Sequence, residues 1–119
     1  MDFWTERHLC TLTTVRRDGT PHVVPVGVTV EFEAGIARVI CSGGSYKARL
    51  IRAQGEAAVA VCQVDGKRWS TLEGRAVVRD EPEQVEEAVR RYAERYRQPR
   101  VNPERVVLEI TVTKVLGNV

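Results

Sequence analysis

A chain of 119 residues is the size of one folding unit, since domains commonly run to about 100–150 residues and bury roughly two-thirds of their unfolded surface without staples. With 43% hydrophobic and 29% charged residues, 5 Pro and 9 Gly, it is neither disordered nor fibrous, and no run approaches the about 18 apolar residues of a membrane helix. A net charge of +2, without a long basic stripe interleaved with aromatics, excludes a typical nucleic-acid interface. A single domain spanning 1–119 is expected.

The opening MDFWTERHLC has an acid at position 2 and no apolar run, so it does not read as a secretory signal and the cytoplasm is the expected address. Residues 8–15 are rich in β-branched side chains and alternate around Leu12. Asp18-Gly19 then supplies a hairpin turn, and residues 22–32 resume the strand. Pro25 and Gly27 interrupt that second strand. Proline cannot donate to a ladder and glycine marks a bulge or a close approach, so either this is a sheet edge or something other than a strand meets its backbone. A third strand follows over 36–41.

Ser42-Gly43-Gly44-Ser45 breaks the pattern, and residues 46–53 read as a short helix with Ser45 as N-cap and Gly55 as its stop. Residues 56–63 form an apolar run suited to a buried strand, and Asp65-Gly66 turns it into a partner strand over 68–79 with Gly74 as a possible bulge. A second, longer helix has Asp80 as its expected cap, Pro82 in the first turn and Glu83 completing a capping box. Its apolar face carries Val85, Ala88, Val89, Tyr92, Ala93 and Tyr96, with acids early and arginines late, as the helix dipole favours. A last alternating strand covers 105–115. Six hairpin-linked strands with one short and one longer helix predict a mainly β, antiparallel barrel.

Between positions 42 and 79 there are seven cations (Lys47, Arg49, Arg52, Lys67, Arg68, Arg75, Arg79) against three acids (Glu56, Asp65, Glu73), an imbalance that favours a small anionic ligand. Within it, two Gly and two Ser run into a helix N-terminus with Lys47 and Arg49 one turn in, an arrangement suited to a phosphate although it is also that of an ordinary capped helix. It is neither a P-loop nor a dinucleotide fingerprint. Trp69, after the second hairpin turn, can stack on a ring system or pack at an interface. Arg97 and Arg100, flanking Gln98-Pro99, can close over an anion or remain solvated.

Cys10, Cys41 and Cys62 stand singly and are expected to be reduced and buried, His8 and His22 to be packing residues, and no metal site is expected. Neither a nucleophile elbow nor an identifiable carboxylate pair is present, so an enzyme of this sequence would take its reactive atoms from a cofactor.

The ordered segments T-L-T-T-V-R-x-D-G-T-P-H-V-V-P-V-G (11–27), A-R-V-I-C-S-G-G-S-Y-K-A (37–48), V-D-G-K-R-W-S-T-L-E-G-R-A (64–76) and R-Y-R-Q-P-R-x-N-P-x-R-V-V-L-E-I (95–110) resemble the flavin and deazaflavin oxidoreductases of the split β-barrel type, relatives of pyridoxamine 5′-phosphate oxidase. Within these, the chain is most similar to the coenzyme F420-dependent branch and its biliverdin reductases.

The resemblance implies a six-stranded antiparallel split β-barrel and a homodimer with two cofactor sites at the subunit interface. It also implies reduced F420 as hydride donor to a conjugated acceptor such as biliverdin. By the same likeness Ser45 and Lys47 form the phosphate pair, with Ser42 and Gly44 contributing from the turn. Val24, Pro25, Val26 and Gly27 lie against the deazaflavin ring, Trp69 and Gln63 stand at the ligand end, and Arg97 and Arg100 are candidates for the substrate. The alternatives are an FMN-dependent oxidase or reductase of the same superfamily and a non-catalytic F420- or tetrapyrrole-binding protein.

Overall fold

The structure, a computed structural model, describes residues 2–119. After a 3₁₀ turn at Asp2–Trp4 the chain forms β1 (Cys10–Val15), β2 (Pro21–Val26), β3 (Thr29–Glu31), β4 (Ile36–Ser42), α1 (Tyr46–Gln54), β5 (Ala57–Asp65), β6 (Arg68–Arg79), α2 (Pro82–Arg95) and β7 (Arg105–Gly117). All strand pairs are antiparallel, in the order β2-β1-β5-β6-β7-β4-β3.

The seven strands correct the expectation of six, because the single strand foreseen over 22–32 is divided after Val26. Only Gly27 and Val28 separate the two edge strands of the sheet, so the sheet must curl until its edges meet, and the barrel is split where the ladder is missing. The proline and glycine thus mark an edge, one of the two readings that the sequence left open.

Helix α2 plugs this split. Val28 is fully buried, yet it has no strand partner for its backbone. Its N–H donates to Tyr96 Oη at 3.1 Å, and its carbonyl accepts from the Arg95 guanidinium. Arg95 also donates to the Glu6 carbonyl at 2.7 Å and to the Gln63 side chain, so one guanidinium ties the N-terminal segment, the split and β5 together. Buried backbone groups need partners, and here side chains replace the absent strand.

The core fills the barrel with Leu12, Val39, Val61, Leu72, Leu108 and Ile110, and Ile51 of α1 joins it from one end. Trp4 is buried with them, its indole N–H donating to Ser70 Oγ at 3.0 Å. Between Glu73 and Gly74 the β6–β7 register shifts, leaving Thr113 as the extra residue of a bulge in β7. A Cβ on Gly74 would lie 2.1 Å from the Thr111 carbonyl oxygen, which is why glycine stands there.

Two caps differ from expectation. Glu81, not Asp80, is the N-cap of α2, and no side chain bonds the helix terminus; the Asp80 carboxylate instead meets Arg52 at 3.3 Å. Ser45 does cap α1, but its hydroxyl donates back to the Ser42 carbonyl at 2.8 Å and not to the first helical turn. Gly55 ends α1 at φ +76°, as expected of a C-terminal glycine.

Candidate functional site

A cleft of about 320 Å³ opens where β2 ends, β4 ends and α1 begins. It is lined by Pro25, Val26, Gly27, Ile40, Cys41, Ser42, Lys47, Tyr92, Pro99, Asn102 and Arg105. Five residues singled out in the sequence, Pro25, Val26, Gly27, Ser42 and Lys47, therefore come together from three elements. Their meeting depends on the split: β2 and β4 lie near opposite ends of the strand order and face each other only because the sheet curls.

One end of the cleft is cationic and polar. Lys47 and Arg105 supply the positive charge, and neither makes an ion pair among the described residues. Asn102 Nδ2 donates to Ser42 Oγ at 2.8 Å, and Arg105 donates to the Arg100 carbonyl at 2.7 Å, so the loop after α2 is fastened onto the Ser42 turn. The N–H of Gly43 donates to the Glu104 carbonyl at 2.8 Å, and a Cβ there would lie 3.3 Å from that same oxygen. With the Ser45 hydroxyl turned back to Ser42, no side chain caps the first amides of α1.

The other end is apolar. Pro25 has no N–H to leave unpaired, and Gly27 admits the Tyr92 and Tyr96 rings so closely that an added Cβ would lie 2.8 Å from Tyr92 Cε2. Burial pushes the Cys41 thiol up from its ordinary value, despite the opposing influence of Ser45, Lys47 and Arg52. It therefore faces the cleft as a neutral, weakly nucleophilic group. The donor set fits a ligand with a phosphate at one end and a flat apolar ring at the other.

The remaining candidates lie elsewhere. Gly44 is exposed and Ser45 half-buried in the turn that leads to Lys47, but neither lines the cleft. Val24 packs inward against the core. Gln63 is fully buried, donating to the Phe3 carbonyl at 2.8 Å while its Oε1 accepts from Cys10 and Arg95, so its side chain is spent inside the barrel. Trp69 is 40% exposed at the head of β6 and does not line the cleft.

Arg97 lines a different concavity, and Arg100 offers its carbonyl to Arg105 while its side chain is exposed. Asn102 and Arg105 carry no local sequence signal of a ligand role, and the spacing of Tyr92 and Tyr96 indicates only the apolar face of a helix.

A larger groove of about 560 Å³ runs along the outer side of α2 from Val85 to Gln98. Its only cation, Arg90, is already held by Glu87 and Glu94, so it offers an anion nothing. His8 lies 3.5 Å from Glu6 and 3.7 Å from Asp65, the one metal-like grouping among the described residues, but Arg68 occupies both carboxylates.

A split barrel with a phosphate-type cleft beside its missing ladder defines a class of small cofactor-binding β proteins. The chain belongs to the pyridoxamine 5′-phosphate oxidase family, whose sequence profile matches residues 1–118. It is 51% identical over 116 residues to an F420H(2)-dependent biliverdin reductase of Mycobacterium tuberculosis (strain CDC 1551 / Oshkosh), covering 98% of this chain and 83% of that one.

Among solved structures, a conserved hypothetical protein of Mycobacterium tuberculosis superposes with a TM-score of 0.80 at 24% identity, over 98% of this chain and 79% of the other. An F420 reductase superposes with a TM-score of 0.75 at 22% identity, over 97% and 94%. These two likenesses establish the fold.

Proposed function

We propose that this chain is an oxidoreductase that passes a hydride from reduced coenzyme F420 to a conjugated acceptor, biliverdin being the first candidate. The observation that carries the reading is the cleft itself, which unites the Ser42/Lys47/Arg105 anion end with the Pro25–Gly27 wall in a family whose 51%-identical relative has that activity.

In this reading Lys47 and Arg105 hold the phosphate by charge, with Ser42 positioned by Asn102 and the free amides of α1 adding donors. Pro25, Val26 and Gly27 present an apolar wall to a flat ring. When bound, the reduced deazaflavin supplies the hydride from its C5. The protein's part is alignment and exclusion of water, which shape the barrier to such a transfer. Cys41, held neutral, does not compete as a nucleophile.

The assembly in this reading is a homodimer of one split-barrel domain per chain. The outward side chains of β2, β1, β5 and β6 include Val23, Val15, Val64 and Trp69, between 36% and 62% exposed, with small residues such as Ala58 and Ala60 between them. Such exposed apolar side chains on adjacent strands support pairing with a second copy, and Pro25 stands both among them and in the cleft. Three free cysteines suit a reducing cytoplasm, and no helix is long and apolar enough to cross a membrane among the described residues.

The test is an anaerobic assay following loss of reduced F420 absorbance with biliverdin present, beside an FMN titration. Biliverdin-dependent oxidation with weak FMN binding is expected. Tight FMN binding with indifference to F420 would transfer the chain to the FMN-dependent reading.

A further inference from the structure

A second concavity, of about 400 Å³, is lined by Arg7, His8, Leu9, Tyr92, Tyr96 and Arg97. It meets the cofactor cleft at Tyr92, which lines both. Two of its lining residues, Tyr92 and Tyr96, are stacked, with ring centroids 4.9 Å apart and 29° between planes. This pair leans on Gly27, the end of the wall proposed to meet the cofactor ring.

Many of the arginines elsewhere on the surface are paired. Arg38, Arg52, Arg68, Arg75, Arg79, Arg90 and Arg91 all have carboxylate partners within 4 Å. Arg7 and Arg97 are exposed and make neither an ion pair nor a side-chain hydrogen bond among the described residues. Glu6 and Asp65, the acids beside His8, are occupied by Arg68, so the concavity keeps its positive character. Two free guanidiniums in one concavity with a tyrosine pair suit a flat conjugated molecule bearing carboxylates, since guanidinium forks match carboxylates and aromatic faces match extended π systems.

We infer that Arg7 and Arg97, with Tyr92 and Tyr96, form the acceptor subsite, gripping the carboxylate arms of the acceptor while the tyrosines carry its ring system beside the cofactor cleft. This rests on the hydride-transfer reading for the identity of the acceptor, but not for the existence of the subsite. It also gives Arg97 a partner, Arg7, from the other end of the chain, and leaves Arg100 outside.

The experiment compares wild type, Arg7→Gln, Arg97→Gln and the double variant, all changed at exposed positions. Biliverdin and its dimethyl ester are titrated into cofactor-free protein by visible absorbance, F420 affinity is measured by fluorescence, and turnover is measured where it occurs. The expected result is a biliverdin Kd weakened about tenfold by each substitution, the scale of a lost charge-assisted hydrogen bond, with turnover losses falling on KM.

The dimethyl ester should bind wild type and variants alike, and F420 affinity should not change. Wild-type-like biliverdin binding by the double variant, equal loss of the ester, no biliverdin binding by wild type, or a loss confined to F420 would each overturn the subsite. If wild type binds biliverdin through these arginines yet never oxidises reduced F420 with it, the catalytic reading falls and the subsite stands.

Discussion

Replacing Tyr96 by Phe removes a single oxygen from the plug that closes the barrel. That oxygen accepts the Val28 N–H at 3.1 Å and donates to the His8 carbonyl at 2.7 Å. Val28 is fully buried in a two-residue gap between sheet edges, so neither water nor another strand can take over its N–H. An unsatisfied buried amide costs about 1–3 kcal/mol. For a domain of this size each kcal/mol corresponds to about 3–6 °C in Tm, so a fall of about 3–18 °C is expected in thermal melts at fixed protein concentration.

Tyr92→Phe is the internal control, because the Tyr92 hydroxyl makes no hydrogen bond among the described residues although its ring stacks on Tyr96. Its Tm should stay within about 1 °C of wild type, the small effect usual for a change that removes no buried bond. If the two variants melt together, side-chain replacement of the missing ladder is not what holds the split closed.

Gly27→Ala drives a Cβ to 2.8 Å from Tyr92 and 3.2 Å from Tyr96, and should cost about 1–3 kcal/mol in denaturant unfolding while weakening cofactor binding in a fluorescence titration. Lys47→Ala should raise the F420 Kd about 10- to 100-fold with little change in Tm; unchanged affinity would remove Lys47 from the site. Val64→Glu places a charge on a side chain that is 62% exposed on β5, and should convert a dimer to monomers in light scattering without unfolding the chain.

Stability should also fall at both pH extremes in equilibrium unfolding. Burial pushes Tyr96 up to about 12, above its unfolded value near 10, so its contribution is full below pH 10 and is lost as pH rises towards 12. Arg90 and Arg91 hold Glu87 below the ordinary carboxylate range, so that contribution is present above about pH 4.5 and is lost as pH falls below it.

Much of the fold was legible locally. Alternation placed β6 at Arg68–Arg79, the two Asp-Gly turns placed its hairpin and that of β1 and β2, and the glycine, serine and lysine run contributes Ser42 and Lys47 to the cationic end of the cleft. These features are encoded by neighbours a few residues apart, where period and turn chemistry act. The barrel's split, the α2 plug and the true place of Gln63 were decided by tertiary structure.

Gln63 sits in an apolar run where a polar residue invites a ligand role, yet its partners are Phe3 and Arg95, brought from far along the chain. The joining of Arg7 to Arg97 has the same origin. No local pattern connects residues that become neighbours only when a curling sheet runs out of strands and a helix must supply the missing hydrogen bonds.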